Sequence, residues 1–124
     1  MRNDRVAIDP NILVQILGGN KTFSAYLKGK DVVASAMVRM EALVYHGENP
    51  EHQSRVQTFL DRCELVEIHR NVQDIAVELR VRFKLSLPDA VIAATAVHLD
   101  IPLITADGAL AKLRPEFDVI LLKV

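Results

Sequence analysis

Five short runs of β-branched and aliphatic residues alternate with segments of helical period, and this alternation constrains the fold more than any other feature. The runs are mostly apolar on consecutive residues, as in strands covered by helices on both faces of a parallel sheet. We predict strands at Arg5–Ile8, Asp31–Ser35, Glu64–Ile68, Pro102–Thr105 and Val119–Leu122. The predicted fold class is therefore α/β, a three-layer α/β/α sandwich around a parallel sheet of four to five strands.

Capping residues indicate where several helices begin. Asn49, Pro50 and Glu51 provide an N-cap, a first-turn proline and a favourable acid for a helix that runs to about Arg62. Asn71 is the predicted cap of the next helix, whose apolar face is Val72, Ile75, Ala76, Leu79 and Phe83. The remaining predicted helices are Pro10–Leu17, Thr22–Lys28, Ala36–His46 and Asp89–Leu99.

The length of 124 residues predicts a single domain, 1–124, with one hydrophobic core. The sequence has no signal-peptide pattern and no apolar stretch long enough to cross a bilayer, so we expect no membrane association. The single Cys63 cannot form an internal disulfide, which favours a cytoplasmic location. The net charge of −1 argues against indiscriminate nucleic-acid binding. If four acids bind metal, however, the 15 basic residues outnumber the acids that remain.

Three aspartates each have an ordinary structural explanation. Asp9 and Asp107 follow the first and fourth predicted strands, where each can cap the helix that comes next. Asp89 falls in the first turn of its helix, where the helix dipole favours a carboxylate. Taken singly, each is best interpreted as a cap or a first-turn acid.

Glu41 differs from the aspartates because it lies inside a predicted helix, where no capping role exists. Its neighbours three and four residues away all have apolar bodies: Met37, Val38, Val44 and Tyr45. A solvated helix edge would explain it, but a carboxylate among such residues points to a bound cation or a functional role.

Taken together, the four acids predict a metal site. Ligands of open parallel sheets bind beyond the carboxyl ends of the strands, near the point where strand order reverses, and all four acids can converge there. Converging carboxylates stay ionised only if a cation neutralises them. Their oxygens favour Mg²⁺ or Mn²⁺, which can lower the pKa of a bound water and stabilise charge on a phosphoryl oxygen. The predicted metal-binding and catalytic residues are Asp9, Glu41, Asp89 and Asp107.

The stretches that carry these acids resemble the PIN-domain family, especially the VapC-type toxins of bacterial toxin–antitoxin pairs. They are Asp9-Pro10-Asn11, Ser35 with Glu41 six residues later, the block from Leu85 to Ala96 around Leu87-Pro88-Asp89-Ala90, and Leu103-Ile104-Thr105-Ala106-Asp107. This resemblance implies a Mg²⁺- or Mn²⁺-dependent endoribonuclease that acts on single-stranded RNA, is inhibited by a small cognate antitoxin and is commonly a homodimer. It also implies that Asn11, Thr105 and Ser35 support the acids.

The sequence departs from the family pattern at three places. Pro10 stands where Thr or Ser is usual, Val38 stands where Thr is common, and Gly108-Ala109-Leu110 stands where many relatives have a further acid and an aromatic. Pro10 and Val38 leave open a PIN-like binding module that has lost catalysis. Another alternative is a phosphoacceptor domain in which Asp9 or Asp107 is phosphorylated, since fold alone does not fix function.

Some residues have two interpretations. Arg80, Arg82 and Lys84 can guide RNA phosphates toward the acids, but their alternation late in an amphipathic helix favours a solvated face. Arg39, close to Glu41, is a further candidate for contact with RNA or with an antitoxin. The apolar residues Phe23, Tyr26 and Leu27 either form an exposed face for a partner or pack inward.

Overall fold

Five parallel strands form one sheet in the computed structural model, which describes residues 4–123. The strands are β1 (Arg5–Ile8), β2 (Asp31–Ser35), β3 (Glu64–Val66), β4 (Leu103–Thr105) and β5 (Val119–Leu121). Their order across the sheet is β3-β2-β1-β4-β5, and each neighbouring pair is parallel. The predicted α/β class, the parallel sheet and the existence of all five strands are confirmed.

Six α-helices and a short 3₁₀ helix join these strands within residues 4–123. The helices are α1 (Pro10–Leu17), α2 (Lys21–Leu27), α3 (Ala36–Tyr45), α4 (Pro50–Asp61), α5 (Arg70–Phe83), α6 (Leu87–Leu99) and the 3₁₀ helix Leu110–Leu113. Because crossovers between parallel strands are right-handed, the reversal of strand order puts α1 to α4 on one face and α5 and α6 on the other. Accordingly, α1 packs against α2, α3 and α4, while α5 packs mainly against α6.

Helix α6 is buried all round rather than along one stripe. Every residue from Ala90 to Ala96 is buried, and most of these residues are small. The only hydroxyl among them is satisfied, because Thr95 donates to the Val91 carbonyl over 3.0 Å. This packing fixes the start of α6, which carries Asp89, relative to the sheet. No helix within residues 4–123 has the length and apolarity needed to cross a bilayer.

Three predicted boundaries were wrong for identifiable reasons. Strand β3 ends at Val66 instead of Ile68, because Val66 pairs with Ser35, the last residue of β2, and no partner strand continues beyond it. Helix α5 is capped at His69 instead of Asn71, since the Gln73 N–H already bonds the His69 carbonyl. Helix α6 begins two residues before Asp89. Its N-cap is Ser86, whose hydroxyl accepts a hydrogen bond from the Asp89 N–H.

The structure also shows whether the apolar residues of α2 pack inward or face solvent. Phe23 and Leu27 are 1% and 7% exposed and belong to the hydrophobic core. Tyr26 is partly buried against the same core, and Lys30 lies over its ring. The inward-packing interpretation of these residues is therefore the correct one.

Asp100 adopts a left-handed backbone conformation (φ 54°) where α6 ends, and we expect this conformation to lower the free energy of unfolding. A side chain with Cβ is strained there, whereas glycine is not. We expect Asp100→Gly to raise the free energy of unfolding by about 0.5–1 kcal/mol, measured by chemical denaturation. The control is Asp100→Ala, which keeps the Cβ and should not stabilise. A lower unfolding free energy for Asp100→Gly would contradict this view of the α6 terminus.

Candidate active site

The order of the strands defines one functional edge of the sheet. From β1, the chain proceeds to β2 and β3 on one side and then returns to β4 on the other side of β1. The carboxyl ends of β1 and β4 therefore flank the point where the strand order reverses, the usual ligand-binding position in such sheets. Asp9 directly follows β1, and Asp107 lies two residues after the end of β4.

All four predicted acids line one cavity of about 280 Å³ at this edge, which we call the acidic cavity. Glu41 reaches it from α3, which begins directly after β2, and Asp89 reaches it from the first turn of α6. The other lining residues are Pro10, Asn11, Val14, Ala42 and Tyr45. No lysine or arginine of residues 4–123 lines it. The structure thus brings together carboxylates that lie up to 98 positions apart in sequence.

Asp9 is both a helix cap and the most buried member of the cluster, with 2% of its surface exposed. Its Oδ1 accepts a hydrogen bond from the Ile12 N–H over 3.1 Å, which caps α1. Its Oδ2 accepts from the Thr105 hydroxyl. The Thr105 Oγ1 in turn accepts from the Asp107 N–H over 2.9 Å. Thr105 therefore links the two aspartates that follow β1 and β4.

Burial raises the pKa of Asp9 from its ordinary value of 3.8 to about 6. The hydrogen bonds from Thr105 and Ile12 favour the ionised form and oppose this rise, whereas the nearby charges of Asp107 and Asp89 add to it. Keeping this carboxylate ionised among apolar atoms and other acids therefore costs free energy.

Asp89 and Glu41 are affected by the same two causes. Desolvation, followed by the charge of Asp107, raises the pKa of Asp89 above its usual value. Desolvation, followed by the charge of Asp89, raises the pKa of Glu41. Asp89 is partly relieved by the Ser86 hydrogen bond and by Lys112, whose charge lowers its pKa. The four carboxylates therefore repel one another through space, as a cation-binding cluster does when no cation is present.

Asp107 shapes the turn that follows β4. Its Oδ1 accepts from the Ala109 N–H over 2.9 Å, and its carbonyl accepts from the Leu110 N–H over 3.2 Å. Leu110 is fully buried as a result. The segment Gly108-Ala109-Leu110, which departs from the family pattern, thus forms the tight connection from the acidic cavity to the 3₁₀ helix.

The predicted supporting residues have different roles. Thr105 contacts Asp9 directly, as described above. Ser35 is buried and caps α3, where its Oγ accepts from the Met37 N–H over 3.0 Å, so it fixes the start of the helix that carries Glu41. Asn11 is exposed and lines the acidic cavity. Val38 is fully buried and does not line the cavity, so a hydroxyl at that position would face the core.

The predicted RNA-contacting residues do not line the acidic cavity. Arg80 donates to the Leu85 carbonyl over 2.7 Å and so ties the end of α5 to the start of α6. Arg82 pairs with Glu116 at 2.7 Å and with Glu78 at 3.6 Å. Lys84 is the left-handed C-cap of α5, and Arg39 is exposed on α3.

The donor set of the acidic cavity fits a hard divalent cation, since all four charged donors are carboxylates. Within residues 4–123, no group of three or more His, Cys, Asp or Glu side chains is arranged so that it could hold a metal ion. An open arrangement is compatible with Mg²⁺, which keeps several of its waters and is commonly held by only one or two carboxylates.

Sequence reasoning missed two features of this site. Lys112, on the 3₁₀ helix, acts electrostatically on Asp89, and no spacing signal in the sequence connects the two residues. Tyr45 lines the acidic cavity as well. Its position four residues after Glu41, on the same side of α3, was an available signal.

Comparison with solved structures shows close similarity of fold. A chain of a toxin–antitoxin complex from Klebsiella pneumoniae matches with a TM-score of 0.84 and 24% identity, covering 96% of this chain and 99% of that chain. A chain of VapBC2 from Rickettsia felis, bound to a DNA fragment from their promoter, matches with a TM-score of 0.77 and 19% identity, covering 97% and 98%. A chain of FitAcB from Neisseria gonorrhoeae matches with a TM-score of 0.78 and 21% identity, covering 93% and 96%.

At these identities, structural likeness establishes the fold alone, and no protein of curated function matches the sequence. The sequence profile of the PIN domain family matches residues 6–114, which contain all four acids and, apart from Arg5, the first four strands. The family resemblance predicted from the acid-bearing stretches is therefore confirmed, and the chain belongs to the PIN domain family.

Proposed function

We propose that this chain is a Mg²⁺- or Mn²⁺-dependent endoribonuclease that hydrolyses phosphodiester bonds of single-stranded RNA. One observation carries the proposal: four carboxylates of a PIN domain line a single cavity that contains no basic side chain of residues 4–123. Such a cavity repels a bare phosphodiester, so binding of RNA there requires a divalent cation between the acids and the phosphate.

In this proposal, Asp9, Glu41, Asp89 and Asp107 hold the cation. When bound, the cation supplies Lewis acidity toward a phosphoryl oxygen and lowers the pKa of a coordinated water. The protein's own task is to present ionised carboxylates in fixed positions. Thr105 orients Asp9 and the backbone of Asp107, the Ser86 cap orients Asp89, and the Ser35 cap orients the helix of Glu41. Asn11 lies at the rim, where it can contact substrate.

The two alternative functions have less support. The phosphoacceptor alternative loses Asp9 as its acceptor, because Asp9 is buried and both of its oxygens accept hydrogen bonds. It then rests on Asp107 alone, whose Oδ1 already accepts from the Ala109 N–H. A binding module without catalysis would have no need to keep four mutually repelling acids, since removing any one of them would relieve the repulsion.

We further propose that the chain is the toxin of a toxin–antitoxin pair in the cytoplasm and forms a homodimer. The support is the likeness to chains of toxin–antitoxin complexes. Several large apolar side chains are exposed in the single chain, as expected if a partner covers them: Met40, Val44, Val77 and Val81. A short adjacent gene for a DNA-binding protein with a C-terminal tail would support the pairing, and light scattering of the purified chain tests the homodimer.

Asp89→Asn should abolish RNA cleavage while leaving the fold intact. The substitution keeps the size of the side chain and removes the charge that helps to hold the cation, so we expect a loss of about a hundredfold or more in the cleavage rate. The measurement is gel-resolved cleavage of a labelled single-stranded RNA in Mg²⁺.

The matched control for this test is Asp74→Asn, the same chemical change at an exposed position on α5. Asp74→Asn should cleave at the wild-type rate, and both variants should melt within a few degrees of wild type. Wild-type cleavage by purified Asp89→Asn would show that the acids have been assigned the wrong role.

Metal affinity should fall steeply as the pH drops below the pKa of Asp9. A carboxyl with a pKa of about 6 must lose a proton before it binds a cation, so calorimetric titration with Mn²⁺ should give about tenfold weaker binding at about pH 5 than at about pH 7.5. Because this pKa is raised in the folded state, the metal-free protein should lose stability as the pH rises from about 4 to about 6.

Asp9→Asn provides the control for the pH dependence. It removes the carboxyl with the pKa of about 6, so the loss of metal-free stability between about pH 4 and about pH 6 should become smaller, and what remains comes from Asp89 and Glu41, whose pKa values are also raised. A wild-type affinity for Mn²⁺ that stays constant across this range would mean that Asp9 is not a ligand.

A further inference from the structure

A second cavity, of about 630 Å³, lies beside the acidic cavity, and we call it the side cavity. Its walls come from the end of α1, the end of α3, the loop after α3 and the first turns of α4. Its lining residues are Val14, Leu17, Gly18, Tyr45, His46, Glu48, Asn49, His52 and Arg55. Its volume lies in the range of cavities that hold small organic ligands, about 300–1,000 Å³.

The two cavities are adjacent, because Val14 and Tyr45 line both. A strand with one phosphodiester at the acids can therefore reach the side cavity by passing over these two side chains. The Tyr45 ring is 69% exposed, and a flat exposed ring beside a phosphate site is a stacking surface for a nucleobase.

The side cavity differs chemically from the acidic cavity. Three rings lie edge to face along its wall, with centroids 4.8 Å apart for Tyr45 and His46 and 5.4 Å apart for His46 and His52. Arg55 donates from Nη2 to the Leu17 carbonyl over 2.6 Å, which holds its guanidinium at the cavity. Within residues 4–123, no carboxylate forms an ion pair with Arg55. Aromatic rings beside an unpaired guanidinium are typical of single-stranded nucleic-acid sites.

His46 provides an unsatisfied polar atom in this wall. Its Nε2 is buried and has no hydrogen-bond partner among residues 4–123. Burial lowers the pKa of His46, and His52 and Arg55 lower it further, which favours the neutral ring. A neutral imidazole nitrogen can pair with the donors or acceptors on the edge of a nucleobase, and nothing else in this wall pairs with it.

We propose that the side cavity binds the nucleobase adjacent to the scissile phosphodiester. In this assignment, Tyr45 stacks on the base and Arg55 contacts the neighbouring phosphate. His46 Nε2 bonds the base edge once the imidazole ring turns toward the side cavity. This inference rests on the proposed ribonuclease function and extends it, because it names a subsite that gives the cleavage a preference for an unpaired base. Double-stranded RNA, whose bases are stacked and paired, does not fit such a site.

The test uses wild-type protein in Mg²⁺ and a short single-stranded RNA whose cleaved bond is mapped first. Abasic ribose then replaces each nucleotide in turn, leaving every phosphate in place. The assignment predicts one position next to the cleaved bond at which loss of the base lowers kcat/KM by about 5- to 140-fold, the effect of one base–aromatic stack.

Variants of Tyr45 show whether this base effect belongs to the side cavity. Tyr45→Ala should cleave the normal RNA more slowly and lose less than about twofold at the abasic position, because its stacking partner is gone. Tyr45→Phe keeps the ring and should retain the full base effect. Tyr26→Ala removes the chain's other tyrosine and serves as the matched control, with the base effect unchanged.

Each outcome decides between the proposals. Cleavage that shows the same base effect in wild type and Tyr45→Ala overturns the subsite and leaves the ribonuclease function standing. Equal slowing by Tyr45→Ala for all RNAs also overturns the subsite and assigns the ring another task, such as contact with a protein partner. Absence of any RNA cleavage by wild type overturns both the function and the subsite.

Discussion

The charge of Asp9, kept inside the fold at the point where the strand order reverses, is the constraint on which the rest of this structure depends. Ionising the carboxyl group there costs free energy, because it is buried and faces the charges of Asp107 and Asp89. The structure offsets the cost with the Ile12 N–H and the Thr105 hydroxyl, both supplied by elements that meet at this edge. The parallel sheet and the right-handed crossovers are what bring those elements together.

The same groups serve both the fold and the site. Asp9 caps α1, Asp107 forms the turn before the 3₁₀ helix, and Asp89 lies in the first turn of α6. Local stabilisation therefore orients three of the acids without additional residues. Only Glu41 has no such local role, so its partly desolvated position on α3 is accounted for only by the cation that we propose.

Much of this arrangement could be predicted from the sequence, because local patterns determine it. Continuous apolar runs predict buried parallel strands, and acids after two strands converge wherever those strands are neighbours. The sequence could not provide what depends on pairing and on side-chain reach. The end of β3 depends on where β2 stops, and the effect of the Lys112 charge on the pKa of Asp89 depends on the path of the chain after β4. The tasks of Arg80 and Arg82, which hold α5 to its surroundings, depend on partners distant from any motif.

The central claim is that the four carboxylates meet around a divalent cation. A crystal structure of the protein with Mn²⁺, with diffraction data collected to reveal the anomalous signal of manganese, tests this claim most directly. We expect an anomalous peak in the acidic cavity, within coordination distance of Asp9 and of at least one more of the four acids. An acidic cavity without a peak at millimolar Mn²⁺, with the Lys112 ammonium among the carboxylates instead, would contradict it.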